Sequence, residues 1–128
     1  MKEPAPRKDT SGEHISRVRR LCMALQGTTE KVSHGAPTFF LKQGVYLMFV
    51  DNHHDDGHIA VWLATDHGTQ QALIKSDPKK YYRPPYVGVS GWVGVDLREV
   101  DDEELGMLVV DAWRMIAAKK KSTARKKK

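Results

Sequence analysis

With 128 residues, 40% of them hydrophobic and 29% charged, the chain is long enough to bury one core and too short for two. Its net charge of +5 suggests an anionic partner, yet seven of the 21 basic residues lie in positions 119–128, leaving 14 basic against 16 acidic groups elsewhere. No apolar run is long enough to span a bilayer, the charged N-terminus lacks the apolar stretch of a signal peptide, and the lone Cys22 excludes an internal disulfide, so a cytoplasmic protein is expected.

Residues 1–10 are expected to be flexible and residues 11–118 to form the single domain. Ser11 is placed to cap a helix whose Ile15, Val18, Cys22 and Leu25 share one face. Gly27 ends it, and its outer side carries Arg17, Arg19 and Arg20. Positions 28–33 alternate weakly as a short strand, and His34, Gly35, Ala36 and Pro37 read as a turn. Strands follow over 38–41 and 45–50, joined through Lys42, Gln43 and Gly44, and a further apolar run covers 59–63.

Between the last two runs lies HHDDGH, residues 53–58, a set of side chains that metals favour. Flanked by strand-length apolar segments and holding Asp-Asp-Gly where the chain must reverse, it has the composition of a polar hairpin loop. Alternate spacing would bring His54 and His58 together if the loop held a metal, but no second ligand cluster completes a closed shell. No metal or other cofactor is therefore expected.

Thr65 and Asp66 can start a second helix that runs through Leu73 and Ile74 and stops before Pro78. Residues 79–86 then interleave Lys79, Lys80 and Arg83 with Tyr81, Tyr82 and Tyr86, a mixture suited to backbone phosphates and stacked bases. The same composition also fits rings covering a sheet while the cations stay in water. A near-central strand over 92–97 would put Trp92, Gly94 and Asp96 on one side and Val93, Val95 and Leu97 on the other. Asp101 caps the closing helix with Glu104 at the capping-box position, and Leu105, Leu108, Val109, Ala112 and Ile116 form its apolar stripe. Beyond it, KKKSTARKKK cannot bury apolar surface and reads as a disordered basic tail over 119–128. The resulting order predicts an α+β fold of two layers, an antiparallel sheet flanked on one face by N- and C-terminal helices.

The blocks HGAPTFF and PPYVGVSGWVGVDL, followed by an acid-capped helix, resemble the MmcQ/YjbR-like family over about residues 13–118. The resemblance implies a fold similar to that of the bacterial frataxin homologue CyaY, and a DNA-binding role carried by two hairpin wings. On the motif positions, it draws attention to His34, Gly35, Pro37 and Phe39, and to Tyr86, Gly91, Trp92, Val93 and Val95. Gly35 and Gly91 suit positive φ, Pro37 a turn, and Phe39, Val93 and Val95 the core. Asp51, Asp55 and Asp56 would face phosphate unfavourably if the HHDDGH hairpin were a wing. The arginines of the first helix also argue against the iron handling of frataxins, which depends on acids there.

Three functions are weighed on these residues. The first is a non-enzymatic nucleic-acid-binding domain, a monomer, in which Arg17, Arg20, Lys42, Lys79, Lys80 and Arg83 contact phosphate, Tyr81 and Tyr82 stack on bases, and the tail adds salt-sensitive affinity without sequence specificity. The second is a protein- or small-ligand-binding module with a groove near His34, Tyr86 and Trp92. The third, an enzyme, lacks a nucleophile–base motif, and Cys22 falls on an apolar helix face.

Overall fold

The structure, a computed structural model, describes residues 6–119. Residues 1–5 and 120–128, and with them nearly all of the expected basic tail, lie outside the described residues. The elements run α1 (Glu13–Met23), β1 (Thr29–Ser33), β2 (Ala36–Leu41), β3 (Gly44–Asp51), a 3-10 turn (His53–Asp55), β4 (Ile59–Leu63), α2 (His67–Ser76), β5 (Tyr81–Tyr82), a second 3-10 turn (Val87–Ser90), β6 (Val93–Asp96) and α3 (Asp102–Ala117). The six strands make one antiparallel sheet in the order β1-β2-β3-β4-β6-β5. The α+β architecture read from the sequence is therefore the one observed.

Strand alternation sorts the core. Phe39, Leu47, Phe49, Val61, Leu63, Val93 and Val95 point to the helix side, where they meet Val18 and Cys22 of α1 and Leu105, Val109, Ala112 and Ile116 of α3. Leu73 and Ile74 of α2 pack against the same cluster, so all three helices lie on one face. Tyr46 is an extra residue in β3: Phe39 pairs with Leu47 and Phe40 with Val45. This bulge turns Tyr46 into the core as well, where its hydroxyl meets that of Thr28 at 2.8 Å.

Several local details differ from the expected ones. Ser11 does not cap α1; Gly12 holds the N-cap position in a left-handed conformation. The Asp9 carboxylate takes over, accepting from the amides of His14 at 3.1 Å and Ile15 at 3.0 Å. Two acceptor oxygens reach two orphan donors, whereas the Ser11 hydroxyl meets only Glu13 N at 3.3 Å. Pro37 is not in a turn but in β2, paired with Val32, because His34 (φ 52°) and Gly35 (φ 79°) alone make the reversal. The basic-aromatic stretch contributes β5, a two-residue edge strand that the prolines around it gave no reason to expect. Asp101 does cap α3, accepting from Glu104 N at 2.8 Å, but the Glu104 carboxylate leaves the capping box for Lys80 and Tyr81.

A candidate binding face at the helix-free side of the sheet

Among the described residues, no helix lies on the second face of the sheet. Its central row can be followed through the register of every strand pair: Lys31, Thr38, Met48, Trp62, Gly94 and Tyr82. At the β1–β2 end of this row Lys31 is exposed, with its ammonium 5.3 Å from the centre of the Phe40 ring, whereas Thr38 is buried and Met48 packs toward Val50 and Trp62. The β4–β5 half is roofed by two loops, residues 52–58 and 83–92, which enclose a small second core of Val50, Ala60 and Trp62.

Glycine decides how this half closes. A Cβ at Gly94 would lie 2.5 Å from the Tyr82 ring, so the ring can lie flat across β6 only because residue 94 has no side chain. Tyr82 then accepts a hydrogen bond from Trp62 Nε1 at 3.0 Å and stacks on His58 with ring centres 4.1 Å apart and planes 8° from parallel. His58 Nδ1 in turn lies 2.9 Å from Asp96 Oδ2, and Arg98 clasps the same carboxylate at 2.8 and 3.1 Å. Burial alone would push the Asp96 carboxyl up; the Arg98 and His58 hydrogen bonds overcome it and hold the group below the usual carboxylate range.

The loop 52–58 is built from left-handed residues, with Asn52, His54 and Asp55 at φ 59°, 51° and 61°. Asn52 carries it: its side chain donates to Pro6 O and accepts from Gly57 N, both at 2.8 Å. Lys8 N and Asp9 N bond to Asp51 nearby, so the start of the described chain lies along the root of the loop. His53 is folded inward, its ring 5.0 Å from that of Trp62 and 4.1 Å from that of His54. Its Nε2 is covered by neighbouring atoms and has no hydrogen-bond partner among the described residues. Burial first, and then the His54 ring, pull the His53 pKa below its ordinary value.

Against this loop stands Tyr86, 71% exposed. Its backbone is at φ 63° and ψ −66°, and Val87 N donates to Pro85 O at 2.6 Å across it, which makes Tyr86 the centre of a γ-turn of the rare, strained hand. The Tyr86 hydroxyl is 3.5 Å from His54 Nε2. His34, His53 and His54 line a broad cleft of about 1660 Å³ with Arg7, Ile15 and Arg19. Trp92 does not join them; it is half-buried and packs against both cores.

The basic and aromatic residues singled out from the sequence are not gathered on one surface. Arg17 is a tie within the helix layer, donating to Leu97 O at 2.7 Å, Val100 O at 2.6 Å and the Asp102 carboxylate at 2.7 Å. Arg20 reaches the same carboxylate at 2.6 Å. Lys80 pairs with Glu104 at 2.8 Å, and Tyr81, 3% exposed, donates to Glu104 from within the main core. Tyr82 lies on the opposite face in the stack just described. Lys42 and Lys79 are exposed in separate turns, and Arg83 is exposed beside Gly88. His54 and His58 diverge as well, one toward Tyr86 and the other toward Asp96, and among the described residues no three His, Cys, Asp or Glu side chains converge on a metal-sized site. Sequence reasoning singled out neither Trp62 nor Arg98; it put Asp96 on one side of its strand with Gly94, and the strand register, which pairs Met48 with Trp62 and Trp62 with Gly94, makes that side the helix-free face.

The sequence profile of the YjbR family matches residues 23–115. No curated protein matches the chain. Among solved structures, a Deinococcus radiodurans protein with a DUF419 domain has the same fold, with a TM-score of 0.69 at 19% sequence identity over 82% of this chain and 79% of that one.

Proposed function

The chain belongs to the YjbR family, and from that premise we propose that it is a non-enzymatic nucleic-acid-binding module whose contact surface is the helix-free face of the sheet. The observation that carries this reading is the exposed ring of Tyr86 on the same side as Lys31 and Phe40, on a face that no helix covers. An open sheet with protruding rings and peripheral cations suits unpaired bases and the phosphates between them. Lys31 belongs to this face and Arg83 is exposed in the loop 83–92 beside Gly88, whereas Arg17, Arg20 and Lys80 are engaged in ion pairs on the helix side. Binding without strong sequence preference follows, since no helix is presented for a groove. A binding role rather than catalysis also accords with Cys22, whose thiol is buried in the core and pushed up to about 12.

Fluorescence anisotropy of labelled single-stranded and duplex DNA with the full chain, with residues 1–118, and with a Lys31→Ala/Arg83→Ala variant tests the reading. Residues 1–118 and the full chain are expected to bind single strands, and the double variant to lose roughly tenfold. Affinity that disappears with residues 119–128 would remove the folded body from the activity.

A second reading has its own observation: His34, His53 and His54 line one cleft. A small ligand seated there would shift the NMR signals of His34 and His54 and leave those of Lys31 unmoved.

A further inference from the structure

The strain at Tyr86 calls for a separate account. A non-glycine residue at φ 63° and ψ −66° occupies a sparsely populated region that persists only where its surroundings hold it. Tyr86 is nonetheless 71% exposed. Two neighbours hold the turn from beneath. Gly88 N donates to Pro84 O at 3.1 Å, and Gln70 Nε2 donates to Gly88 O at 2.9 Å and to Trp92 O at 2.6 Å from within α2. One edge of the Tyr86 ring is fixed as well, with His53 perpendicular to it at a centroid distance of 6.1 Å and His54 Nε2 at 3.5 Å from the hydroxyl. The backing is apolar and aromatic: His53 leans on Trp62 at 80°. The loop therefore presents a supported ring with its other face toward solvent, and Arg83 emerges from the same loop two residues before Pro85.

Resting on the nucleic-acid reading above, we propose that Tyr86 and His54 form a subsite for one unpaired nucleobase, stacked on the solvent face of Tyr86 with its edge beside the His54 ring. Stacking is tolerant of base identity because every base offers a π-face. The occupant is single-stranded nucleic acid because the solvent-facing ring offers a π-face on which a base stacks and the His54 imidazole beside its hydroxyl offers a hydrogen-bonding partner to the base edge.

The test uses the full chain and two labelled strands of equal length, oligothymidine and the same backbone with abasic positions, so that base and phosphate contributions separate. Tyr86→Phe keeps the ring; Tyr86→Gly removes it while glycine adopts the γ-turn without strain, so loss of fold does not mimic loss of stacking. The parent protein and Tyr86→Phe are expected to bind oligothymidine more tightly than the abasic strand, and Tyr86→Gly to lose about tenfold on oligothymidine and little on the abasic strand. Equal binding of both strands by the parent protein, or a Tyr86→Gly variant that binds as the parent does, overturns the subsite while leaving the face as a phosphate-binding surface. A parent protein that binds neither strand overturns the nucleic-acid reading and the subsite together. Loss on both strands alike in Tyr86→Gly also overturns it, since removal of a stacking ring cannot weaken contacts to phosphate alone.

Discussion

Two residues show how single side chains set the helix-free face. Gly94 leaves the space in which the Tyr82 ring lies, with a prospective Cβ only 2.5 Å away. The ring cannot simply swing aside, because its hydroxyl is bonded to Trp62 and its face is stacked on His58. Gly94→Ala is therefore expected to destabilise the fold by about 1–3 kcal/mol, the usual range for overpacking. Urea unfolding measures this, and in a Tyr82→Ala background the penalty of the added methyl should largely vanish. His53 sets a pH dependence. Its folded-state pKa is lowered by burial and by His54, while the unfolded chain takes up a proton near about pH 6.5. Below that pH the unfolded state binds more protons, so stability is complete above it and declines as the pH falls toward the folded-state value. The urea midpoint is expected to drop between pH 7.5 and 5.5, and to drop less in His53→Asn; an equal drop in the variant would assign the effect to other histidines.

At the scale of elements, the termini of helices were legible where the capping residue adjoins the helix and illegible where it does not. Asp66 and Asp101 each accept from the amide three residues on, at 2.7 and 2.8 Å, as their positions in the sequence imply. For α1 the cap is Asp9, which reaches the helix only because the chain bends at Gly12. Asp9→Ala should cost about 1 kcal/mol, within the range for a lost N-cap, and Ser11→Ala much less; thermal unfolding of the two variants orders them. The hairpin loop after β3 was legible as a loop from Asp-Asp-Gly, and its strand neighbours on both sides from their apolar runs. That it folds over the sheet, with His53 against Trp62, depends on left-handed backbone at Asn52, His54 and Asp55, and no local pattern announces three such residues within four positions.

For the whole molecule, charge placement outweighs net charge. The body carries nearly balanced charge and ties much of its basic side-chain content into Asp102, Glu104, Asp96 and Glu30, while seven of the basic residues stand at 119–128. Salt should therefore divide the two contributions to nucleic-acid affinity. Each phosphate neutralised on a single strand adds about 0.7 to the slope of log affinity against log salt. The full chain is expected to show a steeper slope than residues 1–118, and the shorter chain to keep the part of its affinity that comes from stacking; parallel slopes would mean that the terminal lysines do not touch the strand.

By itself the sequence determined the layers of this protein. Apolar spacing at 3.6 and at two residues marked α1, α3 and the strands other than β5, and the same alternation put Val93 and Val95 on one side and Gly94 and Asp96 on the other, because periodicity is a property of local geometry and is written in consecutive residues. It also carried the family, through the blocks around His34 and Trp92. Which cations are free, and which rings are exposed, was decided only in three dimensions. Arg17 and Asp102 are 85 positions apart, Lys80 and Glu104 24, His58 and Asp96 38, and whether a charge stays in water depends on the partner that folding brings within about 3 Å of it, which no window of neighbouring residues contains.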